Sequence, residues 1–520
     1  MRSARRLAPW RVELTATLTR LHHLLDRLLA ERPQHPLLLE PARATSVAGL
    51  ATMTDAVEAE LRADGVRPGD RVMVVAENCA EHVALLLACS RIGAWSCGLN
   101  ARLAPAEVSA FQAKADPRTV YYTAAVSDAA AAHAHSGGAR ASVLPGLSRS
   151  AVATASEPEP GALATQVAAV IFTSGTTGAP KGVLVSHHGL LHFAEVSARS
   201  RGLTPADRVY AFLPMTHIFG LATVLTAALA AGSTLVLRSR FEPADLADAL
   251  ARQGVSQLLG PPTLFARLLA WLDAQRIERP MAPALRYLYT GSAPMDMPLK
   301  AQVEARFGLP LHHGYGLSEY AGSLILTSLA PDGQPRRDNA VGFLAEGAEI
   351  RIVDAQGQDL PAGTPGELWI RGPGLMPGYW RDAAATDAVM RPGGWYATGD
   401  LARTDPADGA VFIVGRLKEM IIRSGFNVYP AEVEAVLNDH PAIRHSAVVG
   451  HREDDGNEAV VAFVELRADA TLDLAALKPW LAERLSAYKR PARVVVVEAL
   501  PVTPNGKVLK RRLLELHPIT

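Results

Sequence analysis

Three observations predict an α/β fold followed by a small α+β module. The segment 69–100, GDRVMVVAENCAEHVALLLACSRIGAWSCGLN, reads as a buried strand, an amphipathic helix and a second strand, which is a βαβ unit. Similar alternation recurs over 208–237 and 254–290. After Arg416 the order becomes helix, two strands, helix, strand, within the size range of an autonomous module of about 100 residues.

At 520 residues the chain is too long for one core, so at least two domains are expected, divided as 1–417 and 418–520. The N-terminus, MRSARRLAPWRVELTATLTRLHHLL, is basic and then mixes charged and apolar residues at helical spacing. It lacks the uninterrupted apolar core of a secretion signal, which predicts a surface helix and a cytoplasmic protein. Residues 124–166, rich in Ala, Ser, Gly and Pro, read as a loosely constrained surface connection. Over 343–415, short runs such as AEIRIVDA and GELWIRG alternate with Gly/Pro turns, which predicts a small antiparallel, barrel-like β unit. In the C-terminal module the pattern predicts helices over 431–438 and 473–485. Strands are expected over 446–450, 459–465 and 493–497. The second helix would place Leu474, Leu477, Leu481 and Leu485 on one face.

Acidic and basic residues balance at 52 each, so there is no bulk electrostatic case for nucleic acid or an anionic membrane surface. No apolar run reaches the roughly 18 residues that span a bilayer. Cys79, Cys89 and Cys97 have no metal-ligand spacing and read as buried, reduced side chains. Lysine is scarce at eight residues against a background of arginine, and three of them, Lys181, Lys418 and Lys507, fall in distinctive motifs.

The first motif is TSGTTGAPKG, from Thr173 to Gly182. Glycines Gly175 and Gly178 let backbone amides approach a polyphosphate; Ser174, Thr176 and Thr177 offer hydroxyls and Lys181 a charge. It is not a phosphate-binding Walker loop, because the required second glycine is Pro180 and Lys181 is followed by Gly182. Its flanks, AAVIFTS and GVLVSH, read as strands, so no helix dipole sits directly behind it. HGYGLSEY (313–320) has a Gly314-Tyr315-Gly316 turn that can lay a ring against a heterocycle, followed by Ser318 and Glu319. Glu319 could hold Mg²⁺ beside substrate phosphates, although alone it also reads as a solvated carboxylate. YATGDLAR (396–403) sets Asp400 after a Gly turn, where it could accept ribose hydroxyls or cap a turn. GRLKEMI carries Arg416 and Lys418 at the proposed domain junction, and PVTPNGKVLKR carries Lys507 in a loop followed by a basic tail.

In order and spacing these motifs resemble the adenylate-forming superfamily of acyl-CoA synthetases, nonribosomal peptide adenylation domains and beetle luciferases. The markers run over about 40–512 as TSGTTGAPKG, LPMTHIFG, GSAP, YGLSE, GELWIRGPGLMPGYW, YATGD, GRLKEMI and PNGK. One departure is Ser318, where the family often has Thr. The resemblance implies a ligase that uses ATP, Mg²⁺ and coenzyme A. It forms acyl-adenylate and pyrophosphate, then acyl-CoA and AMP, with a mobile C-terminal domain. It implies that Thr173 to Lys181 hold the β- and γ-phosphates and Glu319 the metal. Tyr315 would stack on adenine beside Gly291, Ser292, Ala293 and Pro294, with Asp400 and Arg416 on ribose. Lys507 would bridge the carboxylate and the α-phosphate, Lys418 would be the hinge, and Gly425 would line the pantetheine tunnel after rotation.

For the acid, LPMTHIFG has no carboxylate to hold an α-ammonium, which disfavours an amino acid. His217 and Phe219 resemble the pocket wall near the carboxylate, with a packed core histidine as the other reading. Gly291, Ser292, Gly314, Ala321 and Ser323 suggest an open, uncharged pocket for a medium-chain fatty, aryl or alicyclic acid. Fatty acid metabolism is the expected setting. Coenzyme A is the favoured acceptor, because no carrier domain follows Lys507 and no insertion separates YATGD from the hinge. The alternatives are an acyl-AMP ligase that loads a carrier protein, or a nucleotide-binding module without catalysis. A homodimer is left open.

Overall fold

The computed structural model describes residues 18–174, 180–327, 338–423, 426–452, 458–502 and 508–518. Two large sheets form the body. The first has seven strands in the spatial order Arg140–Ala141, Ser148–Arg149, Thr119–Tyr122, Arg71–Ala76, Trp95–Asn100, Val167–Ser174, Pro180–Ser186. The four from Thr119–Tyr122 to Val167–Ser174 run parallel. The second has nine: Phe343–Leu344, Gly322–Leu326, Leu311–Leu317, Tyr287–Thr290, Gln257–Gly260, Arg208–Ala211, Thr234–Leu237, Pro36–Leu39, Ala44–Ser46. Its six central strands, from Leu311–Leu317 to Pro36–Leu39, are also parallel. Parallel strands are covered on both faces, and the run RVMVVA of Arg71–Ala76 is buried at every position.

The helix Ala80–Ile92 corrects one expectation. It is not amphipathic in its surroundings: every residue but Arg91 is buried. With His187–Ser200 and Phe219–Ala231 it shares one continuous apolar core with strands of both sheets. A helix enclosed on all sides belongs to an inner layer. Residues 124–166 are also better built than expected. They include the helix Asp128–Ser136 and the two edge strands Arg140–Ala141 and Ser148–Arg149, and they bury Leu144 and Leu147. The N-terminal helix, His23–Glu31, docks Leu24, Leu25 and Leu28 into the main core.

The β unit expected over 343–415 is a five-stranded antiparallel sheet. Its long strand Trp395–Thr404 pairs with Gly366–Arg371, Met390–Arg391 and Val411–Arg416, and Glu349–Val353 completes it. The smaller C-terminal domain contains a three-stranded sheet, Ile443–Arg452, Glu458–Leu466 and Arg493–Val497, with helices that include Pro430–Asn438 and Leu474–Arg484. Leu477, Leu481 and Leu485 enter its core as expected. Leu474 does not: it is the first helical residue, capped by the Asp473 side chain at the rim, and is 45% exposed. Cys79, Cys89 and Cys97 are free and buried. Among the described residues no helix is long and apolar enough to cross a membrane.

Candidate active site

Three of the expected motifs stand at the carboxyl ends of parallel strands, where loops of open α/β sheets bind ligands. TSGTTGAPKG follows Val167–Ser174, LPMTHIFG follows Arg208–Ala211, and GSAP follows Tyr287–Thr290. Thr173 pairs with Lys181 across the two strands that flank the first loop, as the strand–strand reading expected. Gly175, Thr176, Thr177 and Gly178 lie outside the described residues, as do Gly425 and Lys507.

Three residues meet from distant parts of the chain. The Tyr315 hydroxyl donates to Asp400 Oδ2 at 2.6 Å, and Arg416 Nε lies 2.9 Å from Asp400 Oδ1. Asp400 and Arg416 are direct cross-strand partners. Burial opposes the Arg416 charge, but Asp400, Glu419, Tyr315 and Glu319 together raise its pKa above the ordinary value. Tyr315 is held neutral, first by burial and then by the Asp400 charge. Gly316 is needed for close approach: a Cβ there would sit 2.3 Å from the Gly322 carbonyl oxygen.

Glu319 occupies a short turn, Ser318–Tyr320, and is half-buried with no ion-pair partner among the described residues. Its carboxylate accepts from the Tyr379 hydroxyl at 2.9 Å, and Tyr396 Oη lies 3.3 Å behind that hydroxyl. Burial, and then the Glu319 charge, push both phenol pKa values up. A half-buried carboxylate without a cation partner fits a divalent ion. The cluster His22, His23 and Asp26 also has ligand atoms within 4.8 Å of one another. There, however, His23 Nδ1 accepts two backbone amides and Asp26 is paired with Arg91.

The acid side is built around His217. Its Nδ1 accepts from the Phe219 amide at 3.3 Å, which leaves Nε2–H as the donor of the neutral ring. Burial lowers its pKa to about 4, so it is uncharged at neutral pH. The helix that follows opens with π-type turns over Phe219–Thr226. Gly220 permits this, since a Cβ there would lie 2.2 Å from the Pro214 carbonyl oxygen.

Two groups in this region were not anticipated from the sequence. The Asn78 side chain, 4% exposed, donates to the Leu213 carbonyl at 2.8 Å and accepts from the Met215 amide at 2.9 Å. It thereby straps the His217 loop of one sheet to the strand end of the other. Tyr289 stands beside two of the small residues, Gly314 and Ser323. Its hydroxyl lies 3.1 Å from Ser323 Oγ and its ring meets Phe219 edge-on at 5.9 Å. A Cβ on Gly314 would sit 2.2 Å from that hydroxyl. The glycine is therefore matched to the tyrosine, which brings a hydroxyl and an aromatic ring beside Gly314, Ser323 and Phe219. An Asn in a strand-end loop and a Tyr in a strand carry no local signal of these partners.

In GSAP, Ser292 has φ +66°, and Ala321 beside Glu319 has φ +53°. Non-glycine residues in this region store strain, which concentrates at functional sites. Ala293 lends its carbonyl to the His313 ring at 3.4 Å. Lys418 lies in the turn Leu417–Glu419, directly after the strand Val411–Arg416 that carries Arg416. Its neighbour Glu419 pairs with Lys510 at 3.2 Å, and Lys510 also pairs with Glu434 at 2.8 Å.

The family model for AMP-binding enzymes matches residues 25–380, and that for the AMP-binding enzyme C-terminal domain matches 432–507. An indoleacetate–CoA ligase of Aromatoleum aromaticum is 34% identical over 504 residues, which cover 95% of this chain and 97% of the relative. 4-Coumarate–CoA ligase 5 of Oryza sativa subsp. japonica is 33% identical over 510 residues, covering 95% and 94%. ATP-bound MatB from Rhodopseudomonas palustris superposes with a TM-score of 0.83 at 30% identity, covering 96% of this chain and 99% of that one. The motifs, the two-domain α/β architecture and these full-length similarities place the chain in the AMP-binding enzyme family, the adenylate-forming superfamily of acid–thiol ligases.

Proposed function

We propose that the protein is an ATP-dependent ligase that joins a compact aryl acid to coenzyme A through an acyl-adenylate. One observation carries the reading: Tyr315, Asp400 and Arg416 form one joined group, and Lys181, Glu319, His217 and Tyr289 come from the neighbouring strand ends. The substrate class rests on the aromatic, partly polar wall of Phe219, Tyr289 and Ser323 and on the aryl acids named for the two relatives. That wall disfavours the longer alkyl chain of a medium-chain fatty acid.

In this reading the Tyr315 ring lies against adenine, and Asp400 and Arg416 hold the ribose. Lys181 and the loop from Thr173 grip the β- and γ-phosphates. Glu319 would hold Mg²⁺, which when bound neutralises phosphate charge that opposes an incoming carboxylate. His217 Nε2–H donates to one oxygen of the acid and leaves the other free to attack the α-phosphorus. The bond to pyrophosphate breaks as the new P–O bond forms, and Lys507 steadies the charge that develops there. The thiol sulfur of coenzyme A then attacks the acyl carbon and gives up its proton to solvent, and AMP leaves with the electrons of the acyl C–O bond. Residues 1–417 would form the adenylating domain and 418–520 the domain that turns about Lys418.

The test is pyrophosphate release and acyl-CoA formation with a panel of aryl, alicyclic and C6–C12 fatty acids, with and without coenzyme A. Aryl acids should give the highest kcat/KM and coenzyme A should accelerate turnover. Preference for dodecanoate, or turnover unaffected by coenzyme A, would overturn the substrate or acceptor assignment respectively.

A further inference from the structure

The marker GELWIRGPGLMPGYW has no role in the site as assembled above. In the structure its second half forms a clasp. Gly374 lies against the turn that carries Glu319: a Cβ on it would sit 2.5 Å from the Tyr320 carbonyl oxygen. The Met376 amide donates to the Glu319 carbonyl at 2.8 Å. Two residues later the chain crosses to the strand leaving the phosphate loop. There the Leu184 amide donates to the Gly378 carbonyl at 3.1 Å and the Trp380 amide to the Gly182 carbonyl at 2.7 Å. Tyr379 stands between these two attachments and is 6% exposed. Its hydroxyl donates to Glu319 Oε1 at 2.9 Å, and its ring centroid lies 4.8 Å from Lys181 Nζ.

We propose that Tyr379 is a positioning residue that sets the cation-binding carboxylate and the phosphate-loop lysine against each other before nucleotide arrives. The inference rests on the assignment of Glu319 and Lys181 to Mg²⁺ and ATP phosphates. The hydroxyl bonds Oε1, which restrains the carboxylate's rotation and leaves Oε2 the less encumbered oxygen for a cation. Partners of this kind commonly set metal affinity by one to two orders of magnitude. The ring attracts the ammonium through its π face without neutralising it, as a carboxylate would, so Lys181 keeps its full charge for phosphate. One side chain thus serves both groups by two separable contacts.

Two substitutions separate them. Tyr379→Phe removes the hydroxyl and keeps the ring, whereas Tyr379→Leu removes both. The readout is equilibrium binding of ATP in the absence of acid, measured by calorimetry across a Mg²⁺ titration and again in EDTA. For Tyr379→Phe, the Mg²⁺ concentration that half-saturates the effect should rise about tenfold, with binding in EDTA within about twofold of wild type. Tyr379→Leu should show the same rise and also weaken binding in EDTA by about threefold or more. An unchanged Mg²⁺ midpoint in Tyr379→Phe overturns the inference, as does an equal loss with and without Mg²⁺. Glu319→Gln separates the two readings. If it leaves the Mg²⁺ dependence intact, the metal assignment itself has failed and the Tyr379 inference with it. If it abolishes that dependence while Tyr379→Phe does nothing, only the Tyr379 inference falls. Should Tyr379→Leu fold poorly by circular dichroism, the near-isosteric Phe variant decides alone.

Discussion

Asn78→Ala is the substitution for which the structure gives the clearest magnitude. It deletes both bonds to the backbone of the His217 loop and leaves the Leu213 carbonyl and the Met215 amide without that partner in a buried setting. An orphaned buried polar group costs about 1–3 kcal/mol, so two cost about 2–6, and relaxation or an entering water brings the expectation to about 3 kcal/mol. In a chain of this size that is a fall of roughly 3 °C in melting temperature. The functional consequence is local. Met215 lies two residues before His217, whereas Tyr315, Asp400 and Arg416 stand on other elements. The KM for the acid should therefore rise roughly five- to tenfold while the KM for ATP stays within about twofold. Asn78→Asp keeps the acceptor for Met215 and loses the donor to Leu213, so it tests the two bonds separately. Scanning fluorimetry and pyrophosphate release suffice for both variants. A wild-type melting temperature, or equal rises in the two KM values, would refute the reasoning.

Other perturbations address the chemistry and the core. Lys507→Ala should slow adenylate formation roughly 10²–10³-fold while sparing thiolysis of supplied acyl-adenylate, and equal losses would remove its assigned role. Lys418→Pro should do the reverse, because proline fixes the dihedral that a hinge must change; normal overall turnover would rule it out as the hinge. His217→Ala should raise the acid's KM about tenfold, and an unchanged value would make it a packed core histidine. Burial holds His82 and His313 near pKa 4 and His187 near 3, all below the ordinary 6.5. The unfolded chain therefore binds more protons between those limits. Stability is complete above about pH 6.5 and falls as pH drops toward 4, at up to about 4 kcal/mol per pH unit if all three act together. A flat melting profile from pH 7 to 5 would contradict the burial of neutral imidazoles.

Much of the site was legible because its motifs are contiguous. The strands on either side of TSGTTGAPKG follow from apolar runs too short for helices, and the small-domain elements follow from clear turn punctuation. Less legible was anything satisfied at long range. In Ala80–Ile92, Glu81, His82 and Ser90 suggest a wetted face, yet Glu81 pairs with Arg43 and Ser90 accepts the His22 amide inside the protein. Periodicity registers polarity but not the partner that makes its burial tolerable. Likewise Tyr315 and Asp400 are 85 residues apart, and Tyr379 and Glu319 are 60 apart. Their pairing is a product of the sheet order and has no local trace.

The Lys510 ion pairs have a mechanical consequence. Lys510 sits at the start of the helix Lys510–Leu516 and grips both Glu434 and Glu419, so if the small domain turns as proposed, the chain from Glu419 onward would travel with it. Arg416, on the other side, is tied to Asp400. Leu417 and Lys418 are the residues between these two ion-paired positions. A swivel so short would behave less like a tether than like a universal joint: two residues' torsions would supply the whole of the proposed rotation, and few end orientations would be reachable. Such a joint would favour two discrete settings over a continuum, as two successive reactions in one cleft require.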